Sequence, residues 1–205
     1  TQLICEGKTG PEWHEPSRPR SVEAGGVNHL CEFAEKTGAS VYIVHTSCGV
    51  AIDAAMEARS RGVDVTVEAV IPHLVLDKTY AEQPDFEGAK FVMSPPLRDA
   101  EEHNALWSGL ESGSVSTIGT DHAPFNFHGQ KDMGKDAFTL IPNGIPSIQE
   151  RIDLVHTFGV CKGKIDLETM VNACSTQVAK TFNMFPKKGT LAVGSDADIV
   201  VYDSE

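Results

Sequence analysis

Two polar residues close apolar runs in this sequence, and chemistry would start with them. His45 ends the run Val41 to Val44, and Asp121 follows the run that begins at Val115. Where parallel strands alternate with helices around a barrel, the C-terminal strand ends converge on one mouth, so polar residues there are placed to act on a ligand. An imidazole and a carboxylate in such a mouth suit a divalent cation such as zinc, and the carboxylate can also take a proton from an attacking water. Each residue also has a plainer reading. His45 can be a buried strand-end histidine satisfied by one backbone carbonyl, and Asp121 an N-cap or Asx-turn carboxylate ahead of a proline-containing loop. His73, His103, His122 and His128 form no strong ligand motif and read as exposed or core-satisfied imidazoles. Cys48 has no basic group nearby in sequence to lower its pKa, so it is not expected to be a nucleophile.

The elements that must hold these residues alternate as α/β. Pro11, Pro16 and Pro19 make residues 1–20 a loop. Ser21 is a plausible N-cap for a helix ending at Gly38, with Val22, Leu30, Phe33 and Ala34 on one face. The β-branched run before His45 has no polar alternation, the mark of a strand buried on both faces. A helix over 50–61 (Ile52, Ala55, Met56 and Ala58 inward, Gly62 as its stop) separates it from strands at 63–68 and 90–93. Between those strands Pro72, Pro84 and Gly88 mark irregular chain. Asp99 is expected to cap a helix over 100–110 with Leu106 and Leu110 inward, leading to the strand of Asp121. The long loop over 123–146 reads as a functional lid or wall. Helices follow at 147–157, 166–173 and 177–182, and Ile199 to Tyr202 reads as a strand entering another sheet.

Composition narrows the function classes. The 205 residues carry 17 basic and 29 acidic side chains, a net charge of -12 that repels phosphate backbones and anionic lipid. Neither a nucleic-acid nor a membrane partner is expected. The longest apolar runs are far shorter than the roughly 20 residues a spanning helix needs. Five cysteines without a CxxC pair indicate reduced thiols and a cytoplasmic protein. The N-terminus has neither an initiator Met nor the layout of a signal peptide, and reads as the middle of a longer protein.

Several strings together resemble the hydantoinase and dihydropyrimidinase family of cyclic amidohydrolases. They are Glu6-Gly7-Lys8-Thr9-Gly10-Pro11, Val44-His45-Thr46-Ser47-Cys48, Asp85-Phe86-Glu87-Gly88-Ala89-Lys90 and Ser94-Pro95-Pro96-Leu97-Arg98. The loop adds Asp121-His122-Ala123-Pro124-Phe125, Gly129-Gln130-Lys131, Gly134-Lys135, Phe138-Thr139 and Ile141-Pro142-Asn143-Gly144. Lys187-Lys188-Gly189-Thr190 and Ala197-Asp198-Ile199-Val200 match the family's return to a small β-sandwich.

The resemblance implies a (β/α)8 barrel with two zinc ions in the complete enzyme. His45 would be the sixth-strand ligand, and Asp121 the eighth-strand ligand and proton shuttle. Ser94 and Asn143 would hold the amide edge of the ring through backbone groups. The implied reaction opens hydantoins or dihydropyrimidines to N-carbamoyl amino acids. No His-x-His pair occurs, no strand-end lysine precedes His45, and the fifth-strand histidine has no counterpart. The chain therefore reads as the latter half of the barrel over 1–185 and the start of the sandwich over 186–205. It is expected to be inactive alone and to associate with a second copy or with the missing barrel half. Where the family more usually shows a Cys-Pro-Gln-Tyr-like string, this chain has Ile71-Pro72-His73-Leu74, which bears on substrate preference. Alternatives are an allantoinase- or dihydroorotase-type hydrolase, and a non-catalytic dihydropyrimidinase-like adaptor, a class that lacks the metal-binding histidine and aspartate.

Overall fold

A computed structural model describes residues 2–203. A short helix α1 (Gln2–Cys5) and the proline-broken loop behind it lead to α2 (Arg20–Thr37), which ends at Gly38 in the left-handed conformation. Then come β1 (Val41–Ile43), α3 (Gly49–Ser60) and β2 (Val65–Val70). A short α4 (Ile71–Val75), with Pro72 in its first turn where no intrahelical N–H is needed, follows without a break. After two 3-10 turns come α5 (Glu102–Ser112) and β3 (Thr117–Gly119). The chain ends its regular structure with α6 (Arg151–Val155), α7 (Leu167–Val171) and α8 (Gln177–Thr181). The three strands form one parallel sheet in the order β1-β2-β3, with Ile43 opposite Val67 and Val70 opposite Gly119.

The sheet is two-sided. Val41, Ile43, Val65, Val67, Ala69 and Ile118 face the helices and form the main core with Val27, Ile52, Leu106 and Trp107. The opposite face carries Tyr42, Thr66 and Glu68, half-buried, and Thr117. The expectation of strands buried on both faces therefore holds only in part: Tyr42, Thr66 and Glu68 are half-buried on the second face, whereas Thr117 there is fully buried. Burying each large core side chain contributes about 1.5–3 kcal/mol. Trp107 also donates its indole N–H to the Leu74 carbonyl at 3.1 Å, which locks α5 against α4.

Several expected elements shift for definable reasons. On α2 the buried residues are Val27, Cys31 and Ala34, while Val22, Leu30 and Phe33 stay exposed. Small side chains make the inner face because α3 meets it with Ala51, Ala54, Ala55 and Ala58. No strand forms at 90–93: the Val92 carbonyl accepts from Gly144 N and Lys131 Nζ, and the Met93 carbonyl from His14 Nε2, so no ladder partner remains. The Asp99 side chain pairs with Lys78 instead of capping α5, which Asp99 starts only through its carbonyl. The helix expected from 147 begins at Arg151 because the backbone N–H groups of Ser147 and Ile148 bond His122 Nδ1. A π-helical turn, Asn172–Thr176, joins α7 to α8 where a break was expected.

Residues 182–203 contain neither helix nor strand. A strand needs a partner edge, and none among the described residues is offered to Ile199–Tyr202, so Val193, Val200 and Val201 lie almost fully exposed. No helix is long and apolar enough to cross a membrane among the described residues.

Candidate active site

His45 and Asp121 occupy equivalent places: each lies two residues beyond the end of its strand, and the strands run in the same direction. Both have positive φ, 42° and 47°, in the left-handed region that β-carbon sterics disfavour. Such conformations cost about 1–3 kcal/mol each and persist where surrounding structure fixes them, most often at functional sites. One strand, β2, lies between them. The end of β1 lies level with Val67 of that strand and the end of β3 level with Val70.

His45 is held from its backbone. Its N–H donates to Glu68 Oε1 at 3.1 Å, and the next N–H, of Thr46, donates to the Glu68 carbonyl at 2.8 Å. Its Nδ1 is buried with no hydrogen-bond partner among the described residues, as are Thr46 Oγ1 and His73 Nδ1. An unpartnered buried imidazole nitrogen is costly unless something else engages it, and a cation would. The chemistry of that nitrogen therefore fits a divalent metal, and Asp121, exposed at its own strand end, could offer an oxygen donor. No cluster of three or more His, Cys, Asp or Glu able to hold a metal occurs among the described residues.

Ser94 joins His45 in lining one cavity of about 400 Å³, together with Pro95, Glu23 and Arg98. Asn143 is linked to it, because Ser94 Oγ donates to Asn143 Oδ1 at 3.3 Å. Of the four expected site residues, the structure thus gathers His45, Ser94 and Asn143, while Asp121 does not line that cavity. Asn143 reaches Ser94 because the loop from Asp121 folds back on its own start: His122 bridges Ile145, and the Gly144 N–H donates to Val92 O at 3.0 Å. Gly144 is required there, since a β-carbon would come within 2.5 Å of the Ala123 carbonyl oxygen. Beneath it Lys131, 2 % exposed, gives its ammonium to the same Val92 carbonyl at 2.7 Å. Burial lowers that ammonium to about 8.

Sequence reasoning missed the groups behind these residues. Arg98, 3 % exposed, donates to Ser47 Oγ, to Glu15 and Glu23 at 3.0 Å each, and to the Arg18 carbonyl, which pins the turn after His45 to the Ser94–Arg98 segment. Glu23 in turn accepts the Ser47 backbone N–H at 2.8 Å. On the sheet's polar face Tyr42 donates to Glu68 Oε2 at 2.8 Å. Burial pushes the Tyr42 phenol well above its ordinary range, so it stays protonated. The one available signal was Glu68, the single carboxylate of β2. Burial raises the Cys48 thiol to about 12, despite Arg98 nearby in space. All five cysteines are free.

The chain resembles known proteins across nearly all of its length. It is 44 % identical over 202 residues to the D-hydantoinase of Geobacillus stearothermophilus, covering 98 % of this chain and 43 % of the relative. Among solved structures, the D-hydantoinase (dihydropyrimidinase) from Thermus sp. superposes with a TM-score of 0.93 at 56 % identity, covering 96 % of this chain and 43 % of that one. The dihydropyrimidinase from Brevibacillus agri gives the same TM-score at 47 % identity, covering 96 % and 42 %. The chain spans less than half the length of the relatives it matches. Residues 20–205 match the amidohydrolase family, so the strand-end pair, the loop that returns to Ser94 and the sequence agree: the chain belongs to the amidohydrolase family.

Proposed function

We propose that this chain supplies one part of the active site of a zinc-dependent cyclic amidohydrolase that opens hydantoin or dihydropyrimidine rings. The observation that carries the reading is the pair of left-handed residues, His45 and Asp121, each just past the C-terminal end of a strand of one parallel sheet. The names of the most similar relatives support the substrate class. His45 and Asp121 are two of the metal ligands, and the rest come from outside these residues.

His45 and Asp121 would help hold divalent ions, whose chemistry would be to make water nucleophilic near neutral pH and to offset charge on the attacked carbonyl oxygen. Asp121 then does the proton work: its carboxylate accepts the proton of the attacking water and delivers it to the ring nitrogen as the C–N bond breaks. Ser94 and Asn143 orient the amide edge of the ring through backbone groups, a positioning task that their mutual hydrogen bond supports. The three strands are later strands of a (β/α)8 barrel over 1–185, and 186–205 begin a small β-sandwich. The exposed valines of the tail support that second assignment. The five free thiols support a reducing, cytoplasmic setting, and the sheet edges favour association with the rest of the barrel or with a second copy.

The test is ring opening by a complete hydrolase containing this segment, with zinc added, on hydantoin and dihydrouracil. Asp121→Ala should lower kcat by about 10²-fold or more. Unchanged turnover in that variant removes Asp121 from the mechanism, and no ring opening by the parent enzyme refutes the reading.

A further inference from the structure

We infer that Glu68 is a positioning residue whose carboxylate holds the backbone of His45 and, through Tyr42, ties the strand that ends in His45 to the strand that ends in Asp121. The inference rests on the reading of His45 and Asp121 as ligands.

Both carboxylate oxygens are engaged by protein donors. Oε1 accepts the His45 N–H at 3.1 Å and Oε2 accepts the Tyr42 hydroxyl at 2.8 Å. A carboxylate only accepts, so Tyr42 has spent its single proton on Glu68. The contact of 2.8 Å between Tyr42 O and Thr117 Oγ1 must therefore run from threonine to tyrosine. The result is one directed chain, Thr117 to Tyr42 to Glu68, across all three strands, and a branch from Glu68 to the residue that carries the imidazole. Thr117 is 1 % exposed, so this chain is shielded from water where it crosses to β3.

The sequence leaves room for the carboxylate. Gly119, the last residue of β3, faces Glu68, and a β-carbon there would stand 2.6 Å from Oε2. Because Glu68 also accepts the Thr46 N–H on its carbonyl, the turn that holds His45 in its left-handed conformation is gripped by both the main chain and the side chain of one residue. The aim of a ligand ring follows from the backbone that bears it. Loss of such an outer support typically weakens metal affinity about 10- to 100-fold.

The experiment uses a complete hydrolase and reads two quantities other than turnover: the zinc dissociation constant by chelator competition, and the absorption spectrum of the cobalt-substituted protein. Glu68→Leu should weaken zinc by about 10- to 100-fold and shift the cobalt bands. Glu68→Gln, which keeps an acceptor for the His45 N–H, should recover part of that loss. Gly119→Ala, which leaves Glu68 and both ligands in place but pushes the carboxylate aside, should give an intermediate loss. Should Glu68→Leu fail to fold by circular dichroism, the other two variants decide. Zinc affinity and cobalt spectrum unchanged in the folded variants overturn the inference while leaving the proposed function standing. A parent enzyme that binds no zinc and opens no ring brings down that reading and this inference with it.

Discussion

At the scale of single residues, His14 links protonation to stability. Its Nε2 contacts the Met93 carbonyl at 2.7 Å and Arg18 Nη1 its Nδ1 at 3.2 Å. A carbonyl accepts and a guanidinium donates, so the ring is neutral with its proton on Nε2. Burial, helped by the Arg18 charge, lowers its pKa from 6.5 to about 4. The unfolded chain therefore binds the proton first as pH falls. The stability that neutral His14 provides is whole above about pH 6.5 and is lost towards pH 4, at up to about 1.4 kcal/mol per pH unit. Denaturant midpoints measured from pH 7 to pH 4 should fall, and His14→Gln should flatten the decline; an unaltered slope would assign it to other groups. Met93 precedes Ser94, so acid should loosen the site as well as the fold. Residue types at strand ends singled out His45 and Asp121 as candidates, and motif resemblance added Ser94 and Asn143; the structure places His45, Ser94 and Asn143 near one another. Glu68, Arg98 and Lys131 were not legible as supports because each acts on a partner that only the folded chain brings near.

At the scale of elements, Gly109 sets how closely α5 approaches its neighbours. A β-carbon there would lie 2.7 Å from Val115 Cγ2 and 3.4 Å from Ile52 Cδ1. Alanine is the better helix former by about 1 kcal/mol, but overpacking a core costs typically 1–3 kcal/mol. Gly109→Ala should therefore lower stability in chemical denaturation, and a stabilised variant would show that Val115 repacks freely. The alternation of strand and helix was readable because apolar runs and glycine stops punctuate it, as at Gly38 and Gly62. Residues 90–93 misled because an apolar run is compatible with any buried path, and loop donors claimed its carbonyls. The inner face of α2 misled in the opposite way, since its contacts are made by small residues that carry little hydrophobic signal.

At the scale of the whole molecule, β1 and β3 are both edges of a three-stranded sheet, and α2 exposes Val22, Leu30 and Phe33. Open edges and apolar helix surface favour association. The 205-residue chain on its own should sediment with concentration-dependent mass and show no zinc-dependent ring opening, because the described residues hold no group of three or more His, Cys, Asp or Glu able to grip a metal. A strictly monomeric, active chain would contradict both expectations. The likeness to longer relatives was legible from motifs spread over almost the entire sequence. The fate of the tail was not, because a strand forms only against a partner edge and no partner pairs with residues 199–202 among the described residues.

The division of labour between the two sides of the sheet has a consequence for substitutions. Most of the apolar core lies on the side that meets the helices, while the other side carries the hydrogen-bonded Tyr42, Glu68 and Thr117. Substitutions at an exposed strand tip such as Asp121 therefore leave the main core untouched, so that changing a side chain there and losing the fold are separable events.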